Sequence, residues 1–221
     1  MKKDLSHEDL SEVFQLQHAL LFTLINIVEN RDGETGEHAR RTATFVTIIA
    51  DELSKKGVYK EQLTEEYIDE LYYVAPLHDI GKISTPDAIL NKPDRLTKEE
   101  FYEMKEHTIH GGDIIQNIID NLSPTSRFIP SLQIAKDIAM YHHEKWDGSG
   151  YPLHLKGEEI PLSARIMAVA DVFDALTSKR CYKKRLSTKE ATSFIKKESG
   201  HSFDPFVVNA FLNCVDDLVT C

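Results

Sequence analysis

The chain has 221 residues, of which 41% are hydrophobic and 28% are charged. This balance is typical of one globular domain or two small ones, and it excludes a disordered tail because there is enough apolar material for a buried core. The 36 acidic residues outnumber the 26 basic ones, and the net charge of −10 disfavours binding to nucleic-acid backbones, so neither DNA nor RNA is an expected partner.

Three further features indicate a cytoplasmic protein. No apolar run approaches the roughly 20 residues of a membrane span, and the first residues do not form a secretion signal, so no membrane partner is expected. The cysteines (Cys181, Cys214 and Cys221) are odd in number and lie in the last part of the chain, which is not the pattern of a disulfide framework.

Helical periodicity runs through the first third of the chain. A helix is predicted over residues 8–30 from apolar residues at helical spacing, namely Leu10, Phe14, Leu21, Leu24 and Val28. A second helix is predicted over 37–56, with Gly57 as its stop signal. A third is predicted over 65–78, and Pro76 inside it should kink the helix or remove a backbone hydrogen bond.

The later helices are marked by residues that favour helix starts. These signals are the pairs Thr97–Glu100 and Ser187–Glu190, Ser163, and Asp204 before Pro205. The helix that starts at Thr97 is predicted to end at His107. Because no segment alternates with period two, the predicted fold class is all-α, a single helical bundle with a long Gly- and Pro-containing loop. Residues 1–30 are expected to be a lead helix for coupling or dimerisation, with a helix that packs in the core of this domain as the equal alternative. Residues 31–221 are expected to be the functional domain.

Imidazole and carboxylate side chains are concentrated at or near the predicted helix ends. His78 and Asp79 are adjacent, and such a pair can bind one metal ion or let the carboxylate bridge two. The pair alone is weak evidence, because a helix-terminal histidine beside a capping acid would look the same. The chain offers five imidazoles and three carboxylates in such positions: Glu34, His38, His78, Asp79, His107, His142, His143 and Asp171. Together these donors suit iron, manganese or zinc.

Five short motifs together resemble the signature of one protein family. They are HDIGK at residues 78–82, ILNKP at 89–93, HHEKWDGSGYP at 142–152, DVFDALTSKR at 171–180 and GHSFDP at 200–205. Over about residues 30–212 the pattern is similar to that of HD-GYP domains, which belong to the HD superfamily of metal-dependent phosphohydrolases. The resemblance implies an all-helical domain that hydrolyses cyclic di-GMP, a bacterial second messenger, to pGpG, GMP or both.

The resemblance also implies which residues hold metal. The implied ligands are His38, His78, Asp79, His107, His142, His143 and Asp171, with Fe(II) or Mn(II) as the expected ions and Asp79 as a catalytic residue. Glu34 stands where many family members carry tyrosine, which is similar to the subset that holds three metal ions. Glu34 is therefore expected to be an extra ligand, and two or three ions are expected.

The resemblance implies substrate contacts as well. The implied substrate-binding residues are Lys82, Gly150, Tyr151, Pro152, Arg180 and Lys183. Lys82 is expected to face the scissile phosphate and to act in catalysis, and Tyr151 could stack on guanine. Asp174, one turn after Asp171, is expected to orient a ligand or a loop. Trp146 could line the site or pack under the signature loop, which is formed by Gly150, Tyr151 and Pro152.

Several alternatives stay open at the level of sequence. The substrate could be 3′,3′-cyclic GMP-AMP, or a nucleotide monophosphate as in other HD hydrolases, because a change of purine alters base contacts and not metal ligands. A low-turnover signalling module that binds a cyclic dinucleotide is the alternative from another class, although the complete ligand pattern argues against it. The expected partners are a cyclic dinucleotide, an upstream receiver or sensor domain, and a second copy of the chain.

Overall fold

The computed structural model describes residues 7–32, 37–178 and 185–220 of the chain. Three residues that the sequence proposes for the site, Glu34, Arg180 and Lys183, lie outside these ranges. Within them the chain forms α-helices and two 3₁₀ segments, at Ala75–Ser84 and Gly157–Glu159, and contains no strand. The prediction of an all-α fold is therefore confirmed.

Ten α-helices occur in the described part of the chain. Their bounds are His7–Arg31 (α1), Glu37–Lys55 (α2), Glu65–Val74 (α3), Asp87–Leu90 (α4), Lys98–Lys105 (α5), His107–Asp120 (α6), Ile129–Tyr141 (α7), Leu162–Thr177 (α8), Thr188–Lys197 (α9) and Pro205–Val219 (α10). Over these ranges, none of the helices is both long and apolar enough to cross a membrane.

Helix α8 lies at the centre of the bundle. It packs against α2, α7, α9 and α10, and side chains on all of its sides, such as Ile166, Val169 and Ala170, are completely buried. A helix that is apolar all round belongs in a core. Asp171 and Asp174 lie in its second half, so the positions of these two carboxylates are set by the packing of a buried helix.

The buried face of α1 agrees with the predicted one at Val28 and differs from it at Leu24. Phe22, Ile25 and Val28 are buried, whereas Leu24, which the predicted stripe included, is 59% exposed. Helix α1 packs against the 3₁₀ segment Ala75–Ser84 and α2, and His18 contacts Tyr73 of α3 with ring centroids 4.1 Å apart. These contacts select one face of a helix that has apolar residues on more than one side.

Pro76 marks a change of helix type. Helix α3 ends at Val74, not at His78 as predicted, and the chain continues as the 3₁₀ segment. Proline has no amide hydrogen to donate to an α-helical bond, which is the effect that the sequence predicts at this position. The tighter 3₁₀ winding therefore carries His78 and Asp79.

Two other predicted helix boundaries are wrong. Helix α5 ends at Lys105, and His107 begins α6 because the chain turns at Glu106. Helix α8 begins at Leu162, directly after a proline and without a side-chain cap, and Ser163 is buried inside its first turn.

The remaining start signals are confirmed. The amide of Glu100 donates to Thr97 Oγ1 at 3.3 Å and the amide of Thr97 donates to Glu100 Oε2 at 2.7 Å, and Ser187 and Glu190 form the same reciprocal pair. Asp204 Oδ1 accepts a 2.8 Å hydrogen bond from the amide two residues later, at the start of α10.

The end of α1 is fastened to the 3₁₀ segment and the residues after it. The guanidinium of Arg31 donates to the carbonyl oxygens of Ile83 at 2.9 Å and Thr85 at 3.1 Å, and to Asp87 Oδ1 at 2.7 Å. The lead helix is thus linked directly to the segment that carries His78 and Asp79.

We expect Gly81→Ala to destabilise the fold strongly. A Cβ atom at Gly81 would overlap the carbonyl oxygen of His107 and lie 2.5 Å from the amide nitrogen of Gly111. Backbone atoms cannot give way as a flexible side chain can, so the free energy of unfolding should fall by about 3 kcal/mol. Urea unfolding followed by circular dichroism measures this change.

Gly112→Ala is the matched control. Its Cβ would meet the side chain of Met140 at 3.2 Å, a flexible neighbour, and the change also improves helix propensity in α6. We expect a change of less than about 1 kcal/mol. Equal losses in the two variants would contradict the role given to the Gly81 contact.

Candidate metal centre

The fold gathers the predicted imidazoles and carboxylates from five places in the chain. His38 lies on α2, His78 and Asp79 on the 3₁₀ segment, His107 at the start of α6, His142 and His143 at the end of α7, and Asp171 on α8. Two groups have ligand atoms within 4.8 Å of one another: Asp79 with His107, His142 and His143, and Asp79 with His38 and His78. Asp79 belongs to both groups.

The two oxygens of the Asp79 carboxylate face different imidazoles. Oδ1 lies 3.3 Å from His107 Nε2 and 3.7 Å from His142 Nε2, whereas Oδ2 lies 3.3 Å from His78 Nε2. This arrangement allows Asp79 to bridge two metal ions, one on each side of the carboxylate.

Asp171 completes the side of the centre that contains His38. Its Oδ1 lies 3.6 Å from His38 Nε2, and that nitrogen lies 3.3 Å from His78 Nε2. Three imidazole or carboxylate groups from three separate elements therefore converge with Asp79 on this side.

Three of the histidines are oriented by backbone carbonyl groups. Nδ1 lies 3.0 Å from the carbonyl oxygen of Ala75 in His78, 2.6 Å from that of Met104 in His107, and 3.0 Å from that of Ile138 in His142. A carbonyl oxygen only accepts, so each Nδ1 carries the hydrogen. In the neutral form of each ring the lone pair is thereby placed on Nε2, which points into the centre.

His38 is oriented by a carboxylate instead. Its Nδ1 lies 2.7 Å from Asp174 Oδ2, and Asp174 is 1% exposed. Arg41 holds the same carboxylate through Nε at 2.5 Å and Nη2 at 3.0 Å, and Ser178 Oγ donates to it at 3.1 Å. Burial works to raise the pKa of Asp174, but hydrogen bonds from His38 and Arg41 outweigh it and lower the pKa to about 2.

Burial also affects the charge of the imidazoles. It lowers the pKa of His142 to about 4 and lowers the pKa values of His107 and His143, so these three rings are neutral near pH 7. At His78 the carboxylate of Asp79 outweighs burial, and the pKa rises to about 9. Burial works to raise the pKa of Asp79 itself, but Lys82 and His78 hold it well below its usual range.

A divalent cation matches the polar atoms that the centre leaves without a partner. Asp79 Oδ1, His107 Nε2 and His142 Nε2 are buried and have no hydrogen-bond partner within the described ranges. Leaving such atoms unsatisfied is costly, and one cation coordinated by all three would remove that cost. The donor types, imidazole nitrogen and carboxylate oxygen, are those that bind divalent transition metals.

Lys82 lies at the edge of the centre. Its Nζ is 2.8 Å from Asp79 Oδ2, and it also forms an ion pair with Asp32, which directly follows α1. The ammonium therefore sits between the carboxylate shared by both donor groups and the end of the lead helix. Asp32 is not recognisable as a site residue from the sequence, because Asp32 and Asp79 are 47 positions apart and only the fold brings them to one lysine.

The signature loop closes over one side of the centre. The Tyr151 ring stacks on the His143 ring with centroids 4.8 Å apart, and the Tyr151 amide donates to the His143 carbonyl oxygen at 3.2 Å. Gly150 is required by space, because a Cβ there would lie 2.5 Å from the carbonyl carbon of Glu144. Pro152 follows Tyr151 and is half-buried.

Trp146 lies beside Arg165, and among the described residues its ring has no aromatic contact with the histidines of the centre. Its ring lies 5.8 Å from the guanidinium carbon of Arg165, and its amide donates to the carbonyl oxygen of Ser202. Arg165 is in turn paired with Asp204 at 2.6 Å. Of the two roles that the sequence allows for Trp146, these contacts favour packing.

Comparison with known proteins identifies the family. A family model described as an HD domain matches residues 23–207, so the chain belongs to the HD domain family and binds divalent metal ions. The resemblance read from the five motifs is thereby confirmed. The all-helical fold and the paired donor groups around Asp79 are consistent with this membership.

Relatives with curated names are similar over most of this chain. A "Probable cyclic di-GMP phosphodiesterase" of Vibrio cholerae is 46% identical over 91% of this chain and 45% of its own length. A "Cyclic di-GMP phosphodiesterase" of Thermotoga maritima is 42% identical over 91% of this chain and 51% of its own length. The chain thus spans about half the length of these relatives.

Solved structures show the same fold. That of a cyclic GMP-AMP-specific phosphodiesterase of V. cholerae has a TM-score of 0.64 at 20% identity, covering 91% of this chain and 49% of the other. An HDG"Y"P protein of Bdellovibrio bacteriovorus has a TM-score of 0.56 at 19% identity, covering 83% of this chain and 54% of the other.

We expect Asp174→Asn to weaken the binding of divalent metal. Arg41 and His38 together need acceptors on both oxygens of Asp174, and an asparagine would place an NH₂ group against one of these donors. Partners of this kind contribute about 10–100-fold to metal affinity. Titration with Mn(II), followed by electron paramagnetic resonance of the unbound ion, measures the change.

Ser178→Ala is the control for this prediction. It removes a hydrogen bond to the same carboxylate, but the bond between His38 and Asp174 stays in place. We expect a much smaller loss of Mn(II) affinity. An unchanged affinity in Asp174→Asn would mean that packing alone orients His38.

Proposed function

We propose that this chain is a metal-dependent phosphodiesterase that hydrolyses cyclic di-GMP to pGpG, GMP or both. The observation that carries the proposal is the position of Asp79, whose two oxygens face separate groups of histidines beside the signature loop. The names of the V. cholerae and T. maritima relatives support this choice of substrate. We also propose a cytoplasmic location, where a second messenger would be available.

We propose two metal positions within the described residues. One would be held by His38, His78, Asp79 and Asp171, and the other by Asp79, His107, His142 and His143. Fe(II) and Mn(II) suit these mixed nitrogen and oxygen donors. Glu34 is proposed as the ligand of a third ion.

When bound, divalent ions supply a water of lowered pKa and offset the negative charge of the phosphodiester. The chain's own residues hold the donors and the substrate. Asp79 is proposed to hold the two donor groups in their positions relative to each other. Lys82 is proposed to donate from Nζ to a phosphoryl oxygen, which stabilises the negative charge that grows during the reaction. Arg180 and Lys183 are proposed to contact phosphate as well.

We propose that the signature loop shapes the substrate side of the centre. Tyr151 lies on His143, so a base that enters beside the metal positions would meet the tyrosine. Gly150 lets the loop approach Glu144 closely, and Pro152 restricts the backbone after Tyr151. In this proposal the three residues bind substrate by forming the wall next to His143.

3′,3′-Cyclic GMP-AMP is the second candidate substrate. A relative named "3'3'-cGAMP-specific phosphodiesterase 2", from V. cholerae, is 38% identical over 90% of this chain and 35% of its own length. Residues that hold metal do not read the purine, so the metal centre is compatible with either dinucleotide. The intact donor groups disfavour a binding module with little turnover.

Residues 1–30 are proposed to couple this domain to an upstream receiver or sensor domain, or to a second copy of the chain. The contacts that support this proposal are those of Arg31 with the carbonyl oxygens of Ile83 and Thr85, and of Asp32 with Lys82. A displacement of α1 would therefore reach the lysine at the metal centre directly.

The proposed activity is tested by chromatography of the products after anaerobic incubation with each dinucleotide and Fe(II) or Mn(II). We expect turnover of cyclic di-GMP, and we expect Asp79→Ala to abolish turnover and to lose metal from both groups, because each group uses one of its oxygens. His201→Ala is the control, since this side chain is 62% exposed and lies outside the centre. Full turnover in Asp79→Ala would refute the metal mechanism.

We expect Lys82→Met to retain metal and to lose rate. The variant removes one charged donor beside the proposed phosphate position, a change that typically lowers kcat by about 100-fold. Elemental analysis of metal content, together with kcat, separates a role in chemistry from a role in structure. Lys55→Met is the control, because Lys55 forms a surface ion pair with Asp51 on α2. Loss of metal in Lys82→Met would make the lysine structural.

A further inference from the structure

Helix α5 presents two large aromatic side chains to solvent next to the metal centre. Phe101 is 47% exposed and Tyr102 is 63% exposed, and α5 ends two residues before His107. A contiguous exposed apolar surface beside a candidate site is a feature of ligand-binding surfaces.

Lys105 connects these rings to the signature loop. Its Nζ lies 4.8 Å from the centre of the Phe101 ring, 5.2 Å from that of Tyr102 and 4.9 Å from that of Tyr151. Because Tyr151 stacks on His143, one surface runs from a metal-centre histidine through a tyrosine and an ammonium group to an exposed tyrosine. We call Tyr102, Lys105 and Tyr151 the aromatic platform.

We propose that the aromatic platform binds a guanine base of the cyclic dinucleotide, an inference that rests on the proposed function. The exposed Tyr102 ring supplies a face on which a purine stacks, as aromatic side chains do for unpaired bases. The Lys105 ammonium donates to O6 and N7 of guanine, which are both acceptors. Adenine presents an N6 amino group instead of O6, so the same ammonium discriminates against it.

If the platform binds guanine, the affinity for a cyclic dinucleotide depends on how many of its bases are guanine. Cyclic di-GMP offers a guanine in either of its two binding orientations, whereas 3′,3′-cyclic GMP-AMP offers one in a single orientation and cyclic di-AMP in neither. Lys105 carries this preference and Tyr102 carries stacking, which is common to all purines. The two residues are therefore separable by experiment.

Another exposed cation and aromatic pair provides a matched control. The guanidinium carbon of Arg127 lies 5.0 Å from the Phe128 ring, and Phe128 is 53% exposed. This pair directly precedes α7. Among the described residues, neither side chain has a ring or cation–π contact with a histidine of the metal centre. It reproduces the chemistry of the platform without the connection to His143.

The test uses competition for a base-free diester. Hydrolysis of bis(4-nitrophenyl) phosphate by the Mn(II)-loaded chain serves as the reporter reaction, and cyclic di-GMP or cyclic di-AMP is added as a competitor to obtain an inhibition constant for each. We expect Tyr102→Ala to raise both constants by about tenfold, the effect of losing one stacked base. Lys105→Met should raise the constant for cyclic di-GMP by about fivefold and change that for cyclic di-AMP less, so the preference for guanine falls.

The controls and contrary outcomes are distinct. Phe128→Ala and Arg127→Met should leave both inhibition constants at the parent values. The inference is overturned if the platform variants behave like these controls, or if Lys105→Met shifts the two dinucleotides equally. Failure of the proposed function would appear separately, as a parent chain that hydrolyses the nitrophenyl diester and releases no product from either guanine-containing dinucleotide.

Discussion

The position of Asp79 between two groups of imidazoles is the constraint on which the rest of the site depends. A buried carboxylate is unfavourable unless cations or hydrogen bonds compensate it. Lys82 compensates one oxygen, at 2.8 Å, whereas the other oxygen faces His107 and His142 without a hydrogen-bond partner among the described residues. The need to satisfy that oxygen explains why the centre matches a divalent cation.

The backbone around Asp79 holds this carboxylate in one position. Pro76 ends the α-helical pattern, and the 3₁₀ segment that follows packs against α6 at Gly81. Backbone carbonyl groups determine the orientation of His78, His107 and His142. His38 depends on Asp174 instead, so the side that contains His38 and His78 is oriented by two means: a backbone carbonyl for His78, and for His38 a buried carboxylate with its own cationic partner.

Prediction from sequence succeeded where local chemistry decides the outcome. The capping boxes at Thr97 and Ser187 occur as predicted because each is formed by residues three positions apart. Prediction failed where packing between elements decides. Leu24 is exposed because the neighbours of α1 lie on another face, and His107 begins a helix because the chain turns at Glu106 to place α6 against the 3₁₀ segment.

The sequence by itself determined the all-α class, the HD domain family and the residue types available to hold metal. These properties follow from periodicity and from motifs, which are local along the chain. Only the tertiary structure decided that Asp79 has one oxygen for each imidazole group, that Asp174 orients His38 from 136 positions away, and that Lys105 meets Tyr151. Such contacts depend on how helices pack, and side-chain spacing within one helix carries no information about the facing helix.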